Sequence, residues 1–158
     1  LLFSAPQRPS AGIDGATLPR GIDDNVAEYG FFYGTLMAGF DRRRRAGIDN
    51  KMTYRGRGHI VGALFDLGIY PAAVPSTDGR VWGEVYEFCE VETVLAALDD
   101  IEGYTQSDPD RSLYTRHSVR VTLDEGPAVD AWVYFYNAPL GAAPRIPSGD
   151  YLAHIRVR

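Results

Sequence analysis

The chain reads as an α+β domain whose centre is a small, mostly antiparallel sheet that closes, or nearly closes, into a barrel. Several short stretches between residues 57 and 137 alternate apolar and polar side chains with the period of a strand. A single stretch, 91–101, carries clear helical spacing, with apolar residues at 91, 94, 95, 98 and 101. Strands outnumber helices and do not alternate strictly with them, which argues against a doubly wound parallel sheet. Many short strands around one helix favour a closed barrel. The length, 158 residues, fits one domain, and a chain of this size buries roughly 70% of its unfolded surface without disulfide support.

In chain order, residues 1–28 are interrupted by Pro6, Pro9, Gly12, Gly15, Pro19 and Gly21 and are expected to form an extended or disordered arm. Residues 29–158 are expected to be the single folded domain. Tyr29-Gly30-Phe31-Phe32-Tyr33 has the character of a buried strand, and it opens at Gly34 into Thr35-Leu36-Met37. Where a strand ends this way, backbone N–H groups are released towards a ligand, and such a concavity suits a carboxylate or an oxyanion. The alternative is an ordinary strand exit. The basic run 42–45 lies between Asp41 and Asp49 and reads as a solvated face of a short helix or loop.

The segment 57–66 is expected to be one strand, and 67–72 a turn in which Pro71 holds Tyr70 extended. Ser76-Thr77-Asp78-Gly79 is a turn signal. Strands are expected at 81–88, 113–123 and 129–137, the last two joined by the turn Asp124-Glu125-Gly126-Pro127. Along 81–88, Val81, Gly83 and Val85 alternate with Trp82, Glu84, Tyr86 and Phe88. Along 113–123, Thr115, His117, Val119, Val121 and Leu123 share a face opposite Arg116, Ser118, Arg120 and Thr122. Tyr134 and Tyr136 read as barrel-wall aromatics, His117 as a hydrogen-bonded structural residue, and Cys89 as a small core residue. The end of the chain, 151–158, reads as a short closing helix or strand.

Composition removes several function classes. With 16 basic and 21 acidic residues the net charge is −5, which gives no footing for nucleic-acid binding. One cysteine excludes an intramolecular disulfide framework, and the three histidines, His59, His117 and His154, lack metal-ligand spacing, so no metal is expected. No apolar run approaches the ~20 residues of a membrane span, and Leu1-Leu2-Phe3-Ser4-Ala5 is too short for the apolar core of a signal peptide. A cytoplasmic protein is expected.

The strongest chemical signal is Leu98-Asp99-Asp100-Ile101-Glu102-Gly103-Tyr104. Gly103 is the natural stop of the 91–101 helix, free to take positive φ. On a helical wheel Glu102 falls in the apolar stripe with Val91, Leu95 and Leu98, Asp99 at its edge and Asp100 on the solvated side. Burial and the negative end of the helix dipole both push the pKa of such a carboxylate upwards, which suits a general base or acid near neutrality. The residues alone also fit a glutamate at a frayed helix end whose head turns to water.

Four stretches in order resemble the gamma-glutamylcyclotransferase-like family, in its AIG2-like branch. They are Phe32-Tyr33-Gly34-Thr35-Leu36-Met37, then Ala63-Leu64-Phe65-Asp66-Leu67-Gly68-Ile69-Tyr70-Pro71-Ala72, then Val81-Trp82-Gly83-Glu84-Val85-Tyr86 with the Glu102 segment, and finally Ala131-Trp132-Val133-Tyr134-Phe135-Tyr136 with Ser148-Gly149-Asp150-Tyr151. The resemblance spans roughly residues 31–151. It departs at Asp41, near where many members carry Asn, and at Tyr151, where Trp is common. It implies a mixed, mostly antiparallel barrel flanked by helices, with a cavity at one end. It implies conversion of a small gamma-glutamyl compound to 5-oxoproline with release of an amine or amino acid, without cofactor or metal. In that reading Glu102 is the acid/base, Tyr33, Gly34, Thr35 and Leu36 bind the substrate, and Tyr70 and Tyr136 stand in the pocket wall. Two rivals share the fold: a non-catalytic module that binds a small ligand or a partner, and an amide hydrolase in which Glu102 activates water. The leaving amine and the oligomeric state are not encoded legibly.

Overall fold

The computed structural model describes residues 27–157, so nearly all of the expected N-terminal arm lies outside the described residues. Five strands close a barrel: β1 (Tyr29–Phe32), β2 (Met52–Val61), β5 (Arg80–Phe88), β6 (Tyr114–Leu123) and β7 (Val129–Tyr136), in the order β1-β5-β2-β6-β7. The pairs β1/β5, β2/β5, β2/β6 and β6/β7 are antiparallel. Closure comes from a short parallel contact of β1 with β7, Tyr29 opposite Ala131 and Gly30 opposite Trp132. The mixed, mostly antiparallel barrel expected from the sequence is therefore what forms. Two further strands, β3 (Ala63–Asp66) and β4 (Pro71–Val74), pair with each other outside it. Three α-helices complete the described chain: α1 (Arg42–Arg45), α2 (Val91–Glu102) and α3 (Tyr151–Arg156).

The interior follows from alternation along the strands. Phe31, Ile60, Val81, Val85, Val121 and Val133 are fully buried, a set of branched and aromatic side chains contributed by every barrel strand. On β6 and β7 the register puts Val119 opposite Ala131 and Val121 opposite Val129 on one face. The other face presents Tyr114 opposite Tyr136 and Arg116 opposite Tyr134. Helix α2 covers that second face. Its Val94 and Leu98, one turn apart, are completely buried. Asp99 on the same helix accepts hydrogen bonds from Tyr134 Oη and from Arg116 at 3.2 Å.

Several expectations are corrected. The segment 57–66 is not one strand. The first strand starts earlier, at Met52, carries a bulge between Tyr54 and Gly56, and ends at Val61. At Gly62 the chain leaves the barrel, the Gly62 amide bonding to the Gly79 carbonyl at 3.2 Å, and 63–66 pairs with 71–74. The turn occupies only 67–70, clamped by Asp66 Oδ1 accepting from the Gly68 amide at 2.7 Å and by the Leu67 amide on the Tyr70 carbonyl at 3.1 Å. Pro71 begins β4, a first position where a missing N–H costs no ladder bond. Cys89 is exposed, because β5 ends at Phe88 and the chain turns into α2. The basic run is solvated only in part: Arg43 is buried, with its guanidinium 4.4 Å from the Tyr86 ring centroid and 3.5 Å from Asp49. The closing segment is helical, capped by Asp150 Oδ1 on the Ala153 amide at 3.1 Å and joined to β3 by His154 and Asp66 at 2.7 Å. No helix among the described residues is long and apolar enough to cross a membrane.

Candidate active site

Glu102 is placed by the end of α2. The stripe Val94–Leu98 continues one turn further to Glu102, so the register that buries the leucine also turns the carboxylate inwards. Gly103 then takes the left-handed conformation, φ 63° and ψ 41°. Its amide bonds to the Asp100 carbonyl and that of Tyr104 to the Asp99 carbonyl, at 3.3 and 2.9 Å, the paired bonds of a Schellman turn. The turn reverses the chain at once, and the Gly103 carbonyl accepts from the Leu113 amide at 3.0 Å. Glu102 therefore ends a well-closed helix, not a frayed one.

The cleft that Glu102 lines holds about 550 Å³ of space between protein atoms, part of it open to solvent. The loop after β1 forms one side with Tyr33, Gly34, Thr35 and Leu36, α1 adds Arg42, the β3–β4 turn adds Tyr70 and Pro71, and the sheet face adds Tyr114 and Tyr134. All four loop residues named from the sequence thus meet Glu102 in one cavity. Of the two aromatics expected in the wall, Tyr70 lines the cleft. Tyr136 does not. It sits directly opposite Tyr114 across β6 and β7, its ring 5.3 Å from that of Tyr114 in an edge-on contact. Tyr114 and Tyr134 take the place assigned to it.

The loop is held from both sides. Tyr33 Oη donates to the Tyr134 carbonyl at 2.5 Å and accepts from the Ala73 amide at 3.3 Å, tying β7, the loop and β4 together through one hydroxyl. Tyr114 Oη donates to the Pro71 carbonyl at 3.1 Å. Gly34 is pressed against the same hairpin: a Cβ built there would lie 2.8 Å from Pro71 Cγ, too close for any side chain. The Met37 amide closes a turn on the Gly34 carbonyl at 3.0 Å. Gly34, Thr35 and Leu36 all line the cleft, and among the described residues their amides make no hydrogen bond to a protein acceptor.

Electrostatically the cleft is dominated by one carboxylate in a nest of phenols. Glu102 keeps some surface as a residue, yet its carboxyl group is desolvated at the cleft floor. Burial pushes its pKa from 4.5 up to about 7, and the Arg42 guanidinium opposes part of that rise. The Tyr33 hydroxyl is held far above the ordinary phenol range, by burial first and by the Glu102 charge second. Tyr114 and Tyr134 are raised as well, burial leading and Glu102 contributing. These phenols stay protonated and act as donors. Glu102 is the group in the cleft poised to exchange a proton near neutrality. Asp99, behind it, is also raised by burial, against the lowering effect of the Tyr134 and Arg116 contacts. Asp100 is exposed, as the wheel requires. Among the described residues no three His, Cys, Asp or Glu side chains cluster as metal ligands.

Sequence reasoning missed Arg42, Tyr114 and Tyr134 as lining residues. Strand parity could have found the tyrosines, since both lie on the Arg116 face that α2 covers. Nothing in a run of four arginines marks which one turns inwards.

The family model of gamma-glutamyl cyclotransferase, AIG2-like, matches residues 30–153. A protein of Methanocaldococcus jannaschii named "Putative gamma-glutamylcyclotransferase MJ1514" is 34% identical over 125 residues, which cover 78% of this chain and 95% of that one. Among solved structures, an AIG2-like protein from Mus musculus superposes with a TM-score of 0.62 at 25% identity, over 79% of this chain and 88% of that chain. YkqA from Bacillus subtilis matches with a TM-score of 0.61 at 25% identity, over 84% of this chain, which spans only 42% of that longer protein. The family match takes in the barrel from Gly30 onwards, the loop after β1, α2 with Glu102, and the start of α3. On this evidence the chain belongs to the gamma-glutamyl cyclotransferase, AIG2-like family.

Proposed function

We propose that the protein converts a small gamma-glutamyl compound to 5-oxoproline and releases the amine, with Glu102 as general base and then general acid. The observation that carries this reading is Glu102, a desolvated carboxylate with its pKa raised to about 7, in one cleft with the loop residues Gly34, Thr35 and Leu36. The substrate's α-ammonium loses a proton to Glu102. The freed nitrogen attacks the γ-carbonyl carbon, forming the ring bond and a tetrahedral oxyanion, to which this reading assigns the amides of Gly34, Thr35 and Leu36 as donors. Glu102 returns its proton to the leaving nitrogen as the oxyanion re-forms the carbonyl and that C–N bond breaks. It then takes the second proton from the ring nitrogen, and this proton leaves with the amine as its ammonium ion. No water is consumed. Nucleophile and electrophile belong to one molecule, so the cleft's main work is to hold that molecule bent. Tyr33, Tyr114 and Tyr134 keep the floor dry and the loop in register.

The test is a screen of gamma-glutamyl amines, amino acids and peptides for 5-oxoproline. Its release supports the reading. Release of glutamate instead makes the protein an amide hydrolase, and binding without release makes it a ligand-binding module.

A further inference from the structure

Four consecutive arginines, Arg42 to Arg45, have different fates. Arg43 is buried against Tyr86 and paired with Asp49, and Arg45 pairs with Asp41 at 3.6 Å. Arg44 is exposed. Arg42 alone of the four enters the cleft, and its Nη1 donates to Thr35 Oγ1, a neutral hydroxyl, at 2.7 Å. Among the described residues Arg42 makes no ion pair, and both acidic neighbours in its own segment are taken by the other arginines. A guanidinium has five N–H donors in a planar fork that matches a carboxylate. Anchoring it through one hydroxyl fixes its direction and leaves the rest of the fork unspent.

The cleft thus has two charged lining residues, Glu102 and Arg42. They feel each other's field without making a salt bridge. One anion and one cation lining the same cleft are the complement of an α-amino-acid head group, whose ammonium and carboxylate sit on one carbon. We infer that Arg42 binds the α-carboxylate of the gamma-glutamyl head, while Glu102 receives the adjacent ammonium. The inference deepens the function proposed above and rests on it for the identity of the ligand. It also divides the labour of the site. With the α-carboxylate on Arg42, the amides of Gly34, Thr35 and Leu36 are free for the γ-carbonyl oxygen. Recognition is then concentrated on the head group, which every gamma-glutamyl compound shares.

The experiment measures binding of 5-oxoproline and of 2-pyrrolidinone, the same ring without its carboxylate, by NMR titration. It uses wild type, Arg42→Gln, Arg42→Lys and the exposed control Arg44→Gln. Wild type and Arg44→Gln are expected to prefer 5-oxoproline by about 10- to 100-fold, the range for a charged hydrogen-bonded contact. Arg42→Gln should lose that preference and Arg42→Lys should keep part of it, since the charge remains but the fork does not. A full preference in Arg42→Gln overturns the inference, as does failure of wild type to bind 5-oxoproline. If Arg42→Gln does not fold, a preference undiminished in Arg42→Lys overturns it equally. These titrations need no turnover, so they stand whether or not 5-oxoproline is ever produced. Where turnover is seen, Arg42→Gln should raise KM to a similar degree for gamma-glutamyl-alanine and gamma-glutamyl-ethylamide. A loss confined to the first places Arg42 on the leaving group's carboxylate and overturns the assignment. The acid limb of the Arg42→Gln rate profile should also move to higher pH, because Arg42 draws the Glu102 pKa down.

Discussion

Glu102 is a carboxylate that the fold keeps where water cannot fully solvate it. Its position was legible from the wheel of 91–102, because burial of Leu98 and a stop at Gly103 leave the side chain one direction to take. That has a consequence for stability with a definite sign. The folded pKa of about 7 lies above the 4.5 of an unperturbed glutamate, so the native state binds this proton more tightly than the unfolded state. The protonated carboxyl group is well accommodated below pH 4.5. As pH rises from there through 7, ionisation removes stability, by about 3 kcal/mol at most. Glu102→Gln, which cannot ionise, should therefore exceed wild type in Tm at pH 8 and approach it near pH 5. A pH-independent gap in thermal denaturation would show that Glu102 ionises in the native state as it does in water. Arg42 was not legible in the same way. A charged run is read as solvated, and only the packing of α1 against the loop decides which guanidinium turns in.

The loop after β1 and the β3–β4 hairpin act as one unit. Neither carries the chemistry alone, and they are joined by the Tyr33 hydroxyl and by the contact of Gly34 with Pro71. Tyr33→Phe removes a donor from the Tyr134 carbonyl and an acceptor from the Ala73 amide, both buried. It should cost about 1–3 kcal/mol in denaturant unfolding and loosen the loop enough to raise KM. Gly34→Ala should do more harm to binding than to folding, because a methyl group 2.8 Å from Pro71 Cγ can be relieved only by shifting the loop or the hairpin. Titration with 5-oxoproline and chemical denaturation, run on one preparation, separate the two effects. The hairpin was the least legible element. The run 57–66 is continuously strand-like, so periodicity cannot say that its two halves pair with different partners. That choice is made at Gly62 by long-range bonding to Gly79. The exchange of Tyr136 for Tyr114 and Tyr134 in the wall has a similar origin. Parity puts all three on one face, and only the placement of α2 and the hairpin decides which of the rings meet the cleft.

The barrel as a whole serves to hold one face of β6–β7 still while α2 and the hairpin build a cleft over it. Its class was legible because alternation, turn signals and one helix agree. Its closure was not, since the parallel β1–β7 contact spans two registered residue pairs at opposite ends of the folded chain and leaves no local trace. Docking of α2 is the weak link between scaffold and chemistry. Leu98→Ala, at a position with no exposure, should cost about 2–5 kcal/mol. Activity should fall further than the folded fraction accounts for, since the same turn carries Glu102. Circular dichroism melts read against rates at matched folded fraction would detect that excess, and strict proportionality would deny it.

The central claim is that Glu102 moves the proton. It is tested most directly by 5-oxoproline release from a gamma-glutamyl substrate by wild type, Glu102→Gln and Asp100→Asn, compared at pH 7.5 and matched thermal stability. The account predicts a loss of about 10²- to 10⁴-fold in Glu102→Gln, the span for a positioned acid/base, with binding of 5-oxoproline retained and Asp100→Asn near wild type. Equal rates for wild type and Glu102→Gln would contradict it, and a large loss confined to Asp100→Asn would put the proton on the wrong side of the helix.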